Sequence, residues 1–215
     1  MARISFDILK TIKKGYKKPL ENARVLDVGC WNGRVSLPLL PYIRSLHGVD
    51  IRRSPEFRGK KVSFTKSSVF DYLNNCSKKF DIIICSEVIE HIEDQIGFLK
   101  MIKRCLSDDG IVFLTTNNKY WWKEGHYGLP FLTFLPKRAQ KSYIKAFNKE
   151  RTCGYEVTEL FSYSRLKRYF RKTGYEPEFV IPEGLGFLYS IMKYVMKGPM
   201  WNLSVGFMVI ARKNK

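Results

Sequence analysis

The segment "ICSEVIEHIEDQ" places two carboxylates and an imidazole, Glu87, Glu90 and His91, close together just past an apolar run. If the segment is one helix, separations of three and four residues put all three on one face, while Val88, Ile92 and Ile96 form the stripe that packs inward. Such a face suits two kinds of chemistry. In the first, His91, whose pKa lies near neutrality, takes the proton of a hydroxyl as its oxygen attacks an electrophile, with Glu90 beside it. In the second, Glu87, Glu90 and His91 are ligands of a divalent cation, and His126 of "WKEGHYGLPF" is a fourth. A hard oxygen and nitrogen set of this kind suits Mg²⁺ or Mn²⁺, with Zn²⁺ or Fe²⁺ as softer options, and the metal would lower the pKa of a bound hydroxyl. The plainer alternative is that the two acids complement a positive helix end and His91 is a surface residue.

Upstream, "VLDVGCWNGRVSLPL" reads as a strand, a glycine-bearing turn and a helix start. Gly29 and Gly33 allow a tight turn and close approach to a ligand, and the helix start aims free N–H groups at it. The spacing is D-x-G-x-x-x-G. In the G-x-G-x-x-G pattern a pyrophosphate sits on the helix end, whereas Asp27 ahead of the first glycine would repel a pyrophosphate and suit a cationic ligand. Asp50 closes "HGVDI" at about the twenty-residue offset where a carboxylate meets ribose hydroxyls. Taken singly, each acid could equally be a turn cap or a solvated loop residue.

The elements that position these groups follow from patterning. Runs rich in Val, Ile and Phe, "ARVLDVG", "SLHGVDI", "VSFTKSSV", "FDIIICS", "GIVFLTTN", "YEPEFVI" and "NLSVGFMVIAR", alternate with helical patterns at Arg34 to Ile43, Glu87 to Leu106 and Ser162 to Thr173. This predicts an α/β fold in one domain, 1–215, with a seven-stranded, mostly parallel sheet and helices on both faces. Two segments fall outside the pattern. Residues 119–151 form an aromatic, Pro/Gly-punctuated lid insertion followed by a basic helix, and residues 183–200 are apolar on most of a helix circumference but too short to span a bilayer.

Through these residues the sequence closely resembles the class I S-adenosylmethionine-dependent methyltransferases, particularly the type-11 group, from about Val25 through Asn117 and more weakly to the C-terminus. The resemblance implies a Rossmann-like sheet. It also implies that the turn through Gly29, Cys30 and Gly33 faces the methionine part of the cofactor with Asp27 near it, and that Asp50 holds the ribose with Ile51 following. Asp71 of "SSVFDYL" would lie near the adenine amino group, Val69 and Phe70 would flank the base, and the backbone at Cys85 and Ser86 would run beside the cofactor. Cys30 and Trp31 depart from the commonest residues of the turn without breaking its spacing. E-x-x-E-H with a later histidine resembles the metal site of small-RNA 3′-terminal 2′-O-methyltransferases and ubiquinone-pathway O-methyltransferases, matched by Glu87, Glu90, His91 and His126. The implied activity is O-methylation of a small-molecule, lipid-linked or saccharide acceptor. The alternatives are methylation of an RNA ribose hydroxyl and a non-catalytic, cofactor-binding partner subunit, which a degraded glycine turn would favour.

The 215-residue chain carries a formal charge of +18, so an anionic partner is expected: a membrane surface, nucleic acid or a phosphorylated substrate. Lys137, Lys141, Lys145 and Lys149 recur at helical spacing after the apolar "LPFLTFLP", and Ile4, Ile8 and Ile12 oppose Lys10, Lys13, Lys14, Lys17 and Lys18 at the N-terminus. Basic rims around apolar tips predict peripheral attachment to anionic lipid. Tyr120, Trp121, Trp122 and Tyr127 could instead stack on bases or line a small-molecule pocket. No apolar run reaches eighteen residues, "MARISFDILKTIKKGYKK" lacks a secretory h-region, and the five cysteines form no C-x-x-C pair, so a reducing cytoplasmic setting is expected.

Overall fold

In the computed structural model of the chain, the residues described are 2–123, 127–148, 160–181, 196, 198–203 and 206–214. Seven strands form one sheet: β1 (Arg24–Val28), β2 (Ser45–Asp50), β3 (Val62–Lys66), β4 (Phe80–Ser86), β5 (Leu106–Asn117), β6 (Tyr175–Phe179) and β7 (Gly206–Lys213). Their order is β3-β2-β1-β4-β5-β7-β6. All neighbours run parallel except β7, which is antiparallel to both β5 and β6. The chain leaves β1 toward one edge and resumes at β4 toward the other, so the gap between their carboxyl ends is the switch point where open α/β sheets take ligands.

The central strands are buried on both faces, as a continuous apolar run such as "IIIC" requires. One face is covered by α2 (Val69–Asn75), α3 (Gln95–Cys105) and α5 (Tyr163–Lys172), through Leu73, Phe98, Ile102, Leu166 and Phe170. The other is covered by α1 (Ala2–Gly15) and the turns after β1 and β2, through Ile8, Ile12, Leu39 and Phe57. A basic helix, α4 (Lys137–Ala146), stands outside this packing with no buried residue.

Several expectations are corrected. The segment 34–43 forms no α-helix. Pro38 and Pro41 remove backbone donors, and residues Leu37–Tyr42 settle into 3₁₀ geometry instead. The third strand stops at Lys66 rather than running to Val69, because Ser68 caps α2, a helix that the apolar pattern had concealed. The N-terminal stripe is not an exposed lipid-facing edge: Ile8 and Ile12 are buried against the sheet, and Arg212 of β7 donates to the Gly15 carbonyl at 2.8 Å. The lid expectation falls partly, and the apolar 183–200 segment largely, outside the described residues. Of the latter, Met196 is buried in the core, and the 3₁₀ turn Gly198–Leu203 places Trp201 against Phe179.

Candidate functional site

At the carboxyl end of β1 the chain must reverse sharply, and it does so through positive φ at Gly29 (+69°) and Gly33 (+70°). The amides of Gly29 and Cys30 donate to the Val49 carbonyl at 2.8 and 3.1 Å, so the turn is pinned to the end of β2. Both glycines are also sterically required. A Cβ on Gly29 would lie 2.5 Å from Val88 Cγ2, and one on Gly33 2.7 Å from Phe57 Cε2. The first contact joins the glycine turn to the segment after β4 across the switch point.

Asp27 is buried at 2% exposure and accepts a hydrogen bond from the Ser36 hydroxyl. Burial raises its pKa from 3.8 to about 7; the Ser36 hydroxyl opposes the rise and the nearby Asp50 charge adds to it. Such a group ionises readily when a cation arrives. Asp50 is held by two backbone donors, Trp31 N–H to Oδ2 at 2.8 Å and Arg52 N–H to Oδ1 at 2.9 Å. Each carboxylate oxygen keeps acceptor capacity for a ligand hydroxyl. Ile51 follows with an exposed side chain. The Cys30 and Cys85 side chains belong to the core, and burial pushes both thiols up.

Asp71 occupies the first turn of α2. Its backbone N–H is capped by Ser68 Oγ at 3.0 Å, and its Oδ2 accepts the Ser68 hydroxyl at 2.7 Å. Ser68 is therefore the N-cap of α2, and its hydroxyl is in turn held by the Asp71 carboxylate. Asp71 remains exposed beside the half-buried Val69 and Phe70, at the carboxyl edge of the sheet with the other two acids.

The opening segment differs from its expected form. It is not one helix: Glu87 adopts φ +56°, residues Ile89–His91 make a single 3₁₀ turn, and α3 starts only at Gln95 behind its cap Asp94, which accepts from Gly97 N–H at 2.8 Å. Consequently Glu87, Glu90 and His91 do not share a helical face. Glu87 is exposed, His91 half-buried and Glu90 at 0% exposure, while the inward stripe keeps Val88 and Ile92 but leaves Ile96 half-buried. The end of β5 holds the segment: Ser86 Oγ and Thr115 Oγ1 lie 2.8 Å apart, Thr116 Oγ1 donates to Glu90 Oε2 at 2.9 Å, and Asn117 Nδ2 donates to Glu87 Oε2 at 2.7 Å. Among the described residues Glu90 Oε1 has no hydrogen-bond partner, and burial with the adjacent Glu87 charge pushes the Glu90 carboxyl well above the usual range.

This geometry does not support the cation reading. Among the described residues no three His, Cys, Asp or Glu side chains converge as a metal set. His126, the fourth ligand of that reading, lies outside the described residues. His47 belongs to other business, hydrogen-bonded to Ser63 and Thr65 on β3. Sequence reasoning missed Ser36, Thr115, Thr116 and Asn117. The signal for three of them was present, since "TTN" puts polar side chains at the carboxyl end of an otherwise buried strand.

A methyltransferase-domain family model matches residues 5–178. The chain belongs to this methyltransferase family. It is 33% identical over 124 residues to the ubiquinone biosynthesis O-methyltransferase of Pelagibacter ubique, covering 54% of this chain and 51% of that protein. It is 32% identical over 130 residues to the enzyme of the same name from Bartonella quintana, covering 55% and 52%. The chain therefore spans about half the length of these curated relatives. Among solved structures, the plantazolicin methyltransferase BamL in complex with a triazolic desmethylPZN analogue and SAH superposes with a TM-score of 0.62 at 18% identity, covering 99% of this chain and 85% of that one. An S-adenosylmethionine-dependent methyltransferase from Mesorhizobium loti gives 0.62 at 12% identity, covering 93% and 95%. These two likenesses establish the shared fold.

Proposed function

We propose that this chain binds S-adenosylmethionine at the β1–β4 switch point and transfers its methyl group to a hydroxyl of a small-molecule acceptor. The observation that carries the reading is the pairing of Asp27 and Asp50 on adjacent strand ends around one glycine turn, which itself holds the Asp50 carboxylate in place. When bound, the cofactor supplies an electrophilic methyl on a sulfonium. Asp27, ionised by the approach of a cation, favours the charged end of that ligand; Asp50 accepts from the ribose hydroxyls; Asp71 stands at the adenine side. His91 takes the hydroxyl proton as the C–O bond forms and the C–S bond breaks, leaving a methyl ether and S-adenosylhomocysteine. The chain's main contribution is alignment of donor and acceptor. No step is routed through a cation.

The acceptor class is supported by the relatives named for ubiquinone biosynthesis and by the aromatic side chains of the 119–134 segment, which suit a ring-bearing phenol or catechol. Calorimetry with S-adenosylhomocysteine and methyl transfer to a panel of catechols and quinol-type phenols test the reading. His91→Ala should bind S-adenosylhomocysteine normally and lose turnover about a hundredfold or more, the scale of general base catalysis. Retained turnover removes His91 from the mechanism.

A second reading concerns where the chain works. Trp122, Phe131 and Phe134 form an exposed ridge with ring centroids 6.4 and 6.3 Å apart, and Phe131 is held outward at 59% exposure with φ +56°. Beside it, α4 presents Lys137, Arg138, Lys141 and Lys145; Lys149 lies outside the described residues. An aromatic ridge rimmed by cations supports docking at an anionic membrane interface, and with it a lipid-linked acceptor. The nucleic-acid alternative rests on the net charge and on Tyr120, Trp121, Trp122 and Tyr127 as stacking surfaces. Among the described residues no helix is long and apolar enough to cross a membrane.

A further inference from the structure

The turn after β1 passes through three positive-φ positions, and only two of them are glycine. The third is Trp31, with φ +43°. A left-handed backbone imposes on any L-residue a cost that glycine avoids, and bulky side chains are the rarest there. Burial of the ring does not compensate it, because Trp31 is 60% exposed. A strained position occupied by a large, solvent-facing indole is a reason to look for a ligand. Its surroundings name one. The Trp31 amide is fixed to Asp50 Oδ2 at 2.8 Å, so the residue is tied to the carboxylate assigned to the ribose. Ile51, next to that carboxylate, is also left exposed, at 55%. Two large apolar side chains thus stand open near Asp50, one bonded to its carboxylate through the backbone amide and the other next to it in the chain.

We propose that Trp31 is a cofactor-binding residue whose indole, together with Ile51, forms an apolar outer wall against the adenosine part of S-adenosylmethionine and loses its water when the cofactor enters. The inference rests on the cofactor site proposed above. It gives a reason for a tryptophan where glycine would be easier: the ring contributes binding that the backbone alone does not.

Substitution by glycine separates the two contributions, because glycine relieves the backbone and removes only the ring. Trp31→Gly should melt no lower than the parent protein yet bind S-adenosylhomocysteine about tenfold more weakly by calorimetry, within the range of an aromatic ring on a base. Trp31→Phe should stay within about threefold. In fluorescence, the difference between parent and Trp31→Phe isolates the Trp31 emission, which should be quenched or blue-shifted on saturation with S-adenosylhomocysteine. Asp50→Ala is the control. If Trp31→Gly binds like the parent while Asp50→Ala has lost binding, the wall is refuted and the cofactor site stands; an unresponsive Trp31 emission at saturation refutes the wall as well. If Asp50→Ala binds like the parent, the cofactor site itself is overturned and the wall with it.

Discussion

Asp27→Asn should stabilise the ligand-free protein, and the gain should depend on pH in a defined direction. The folded-state pKa of Asp27 is raised from 3.8 to about 7, first by burial. A raised value means that the folded state holds the proton more tightly than the unfolded chain does. The associated stability is fully present below about pH 4 and is lost as pH rises through about 7. Ionising the buried carboxyl at pH 8 therefore costs up to roughly 4 kcal/mol, the rise from 3.8 to about 7 converted at 1.36 kcal/mol per pH unit. An amide at this position carries no charge and still accepts from the Ser36 hydroxyl. Thermal unfolding of both proteins between pH 4.5 and 8.5 should show melting curves that separate progressively, with the Asp27→Asn protein ahead by about 10 °C above pH 7 for a chain of this size. All other titrating groups are common to both proteins and cancel in the comparison. Saturating S-adenosylhomocysteine should narrow the gap, because its cationic end is a partner for the carboxylate and not for the amide. A difference that is flat from pH 4.5 to 8.5 refutes the claim that Asp27 carries a proton in the empty site.

Two further outcomes follow from packing and charge. Gly29→Ala introduces a Cβ at 2.5 Å from Val88 Cγ2 on a backbone with φ +69°, so it should destabilise the fold by about 2–4 kcal/mol and weaken S-adenosylhomocysteine binding by displacing the segment after β4; denaturant melts and calorimetry would show otherwise if the turn is tolerant. In flotation assays the protein should rise with vesicles containing phosphatidylglycerol but not with pure phosphatidylcholine, should detach as salt is raised, and should lose flotation when Lys137, Lys141 and Lys145 become glutamine. Absence of flotation at low salt retires the membrane reading.

The order of elements and the acids at the strand ends were legible in the chain because both are local. A short run rich in Val, Ile and Phe, a glycine spacing and an acid closing an apolar run need no distant partner to be recognised. Hence β4 is legible residue for residue, and α5 is placed within a residue at each end by its Ser162 cap. Failures arise where local signals compete. Leu37 to Tyr42 carries helical apolar spacing, but two prolines decide its geometry. Ser68 caps the first turn of α2 by accepting from the Asp71 N–H, and that cap outweighs the strand propensity of Val69 and Phe70.

For the site, the sequence by itself determined which groups are present and roughly which end of the sheet they share: Asp27, Asp50, the glycine turn, and the Glu87, Glu90 and His91 trio. Only the tertiary structure decided their states. Glu90 looked like a neighbour of Glu87 on an open helix face, yet the left-handed backbone at Glu87 turns it into the core, where Thr116 from β5 is its hydrogen-bond partner and burial pushes its carboxyl above the usual range. Asp27 looked like an ionised acid, yet the packing of β1 between β2 and β4 strips its water and brings its pKa near neutrality. Residue type is written in the chain one position at a time. Desolvation and the partner across a strand come from residues far apart in sequence, so charge state and side-chain direction are set by the assembled sheet.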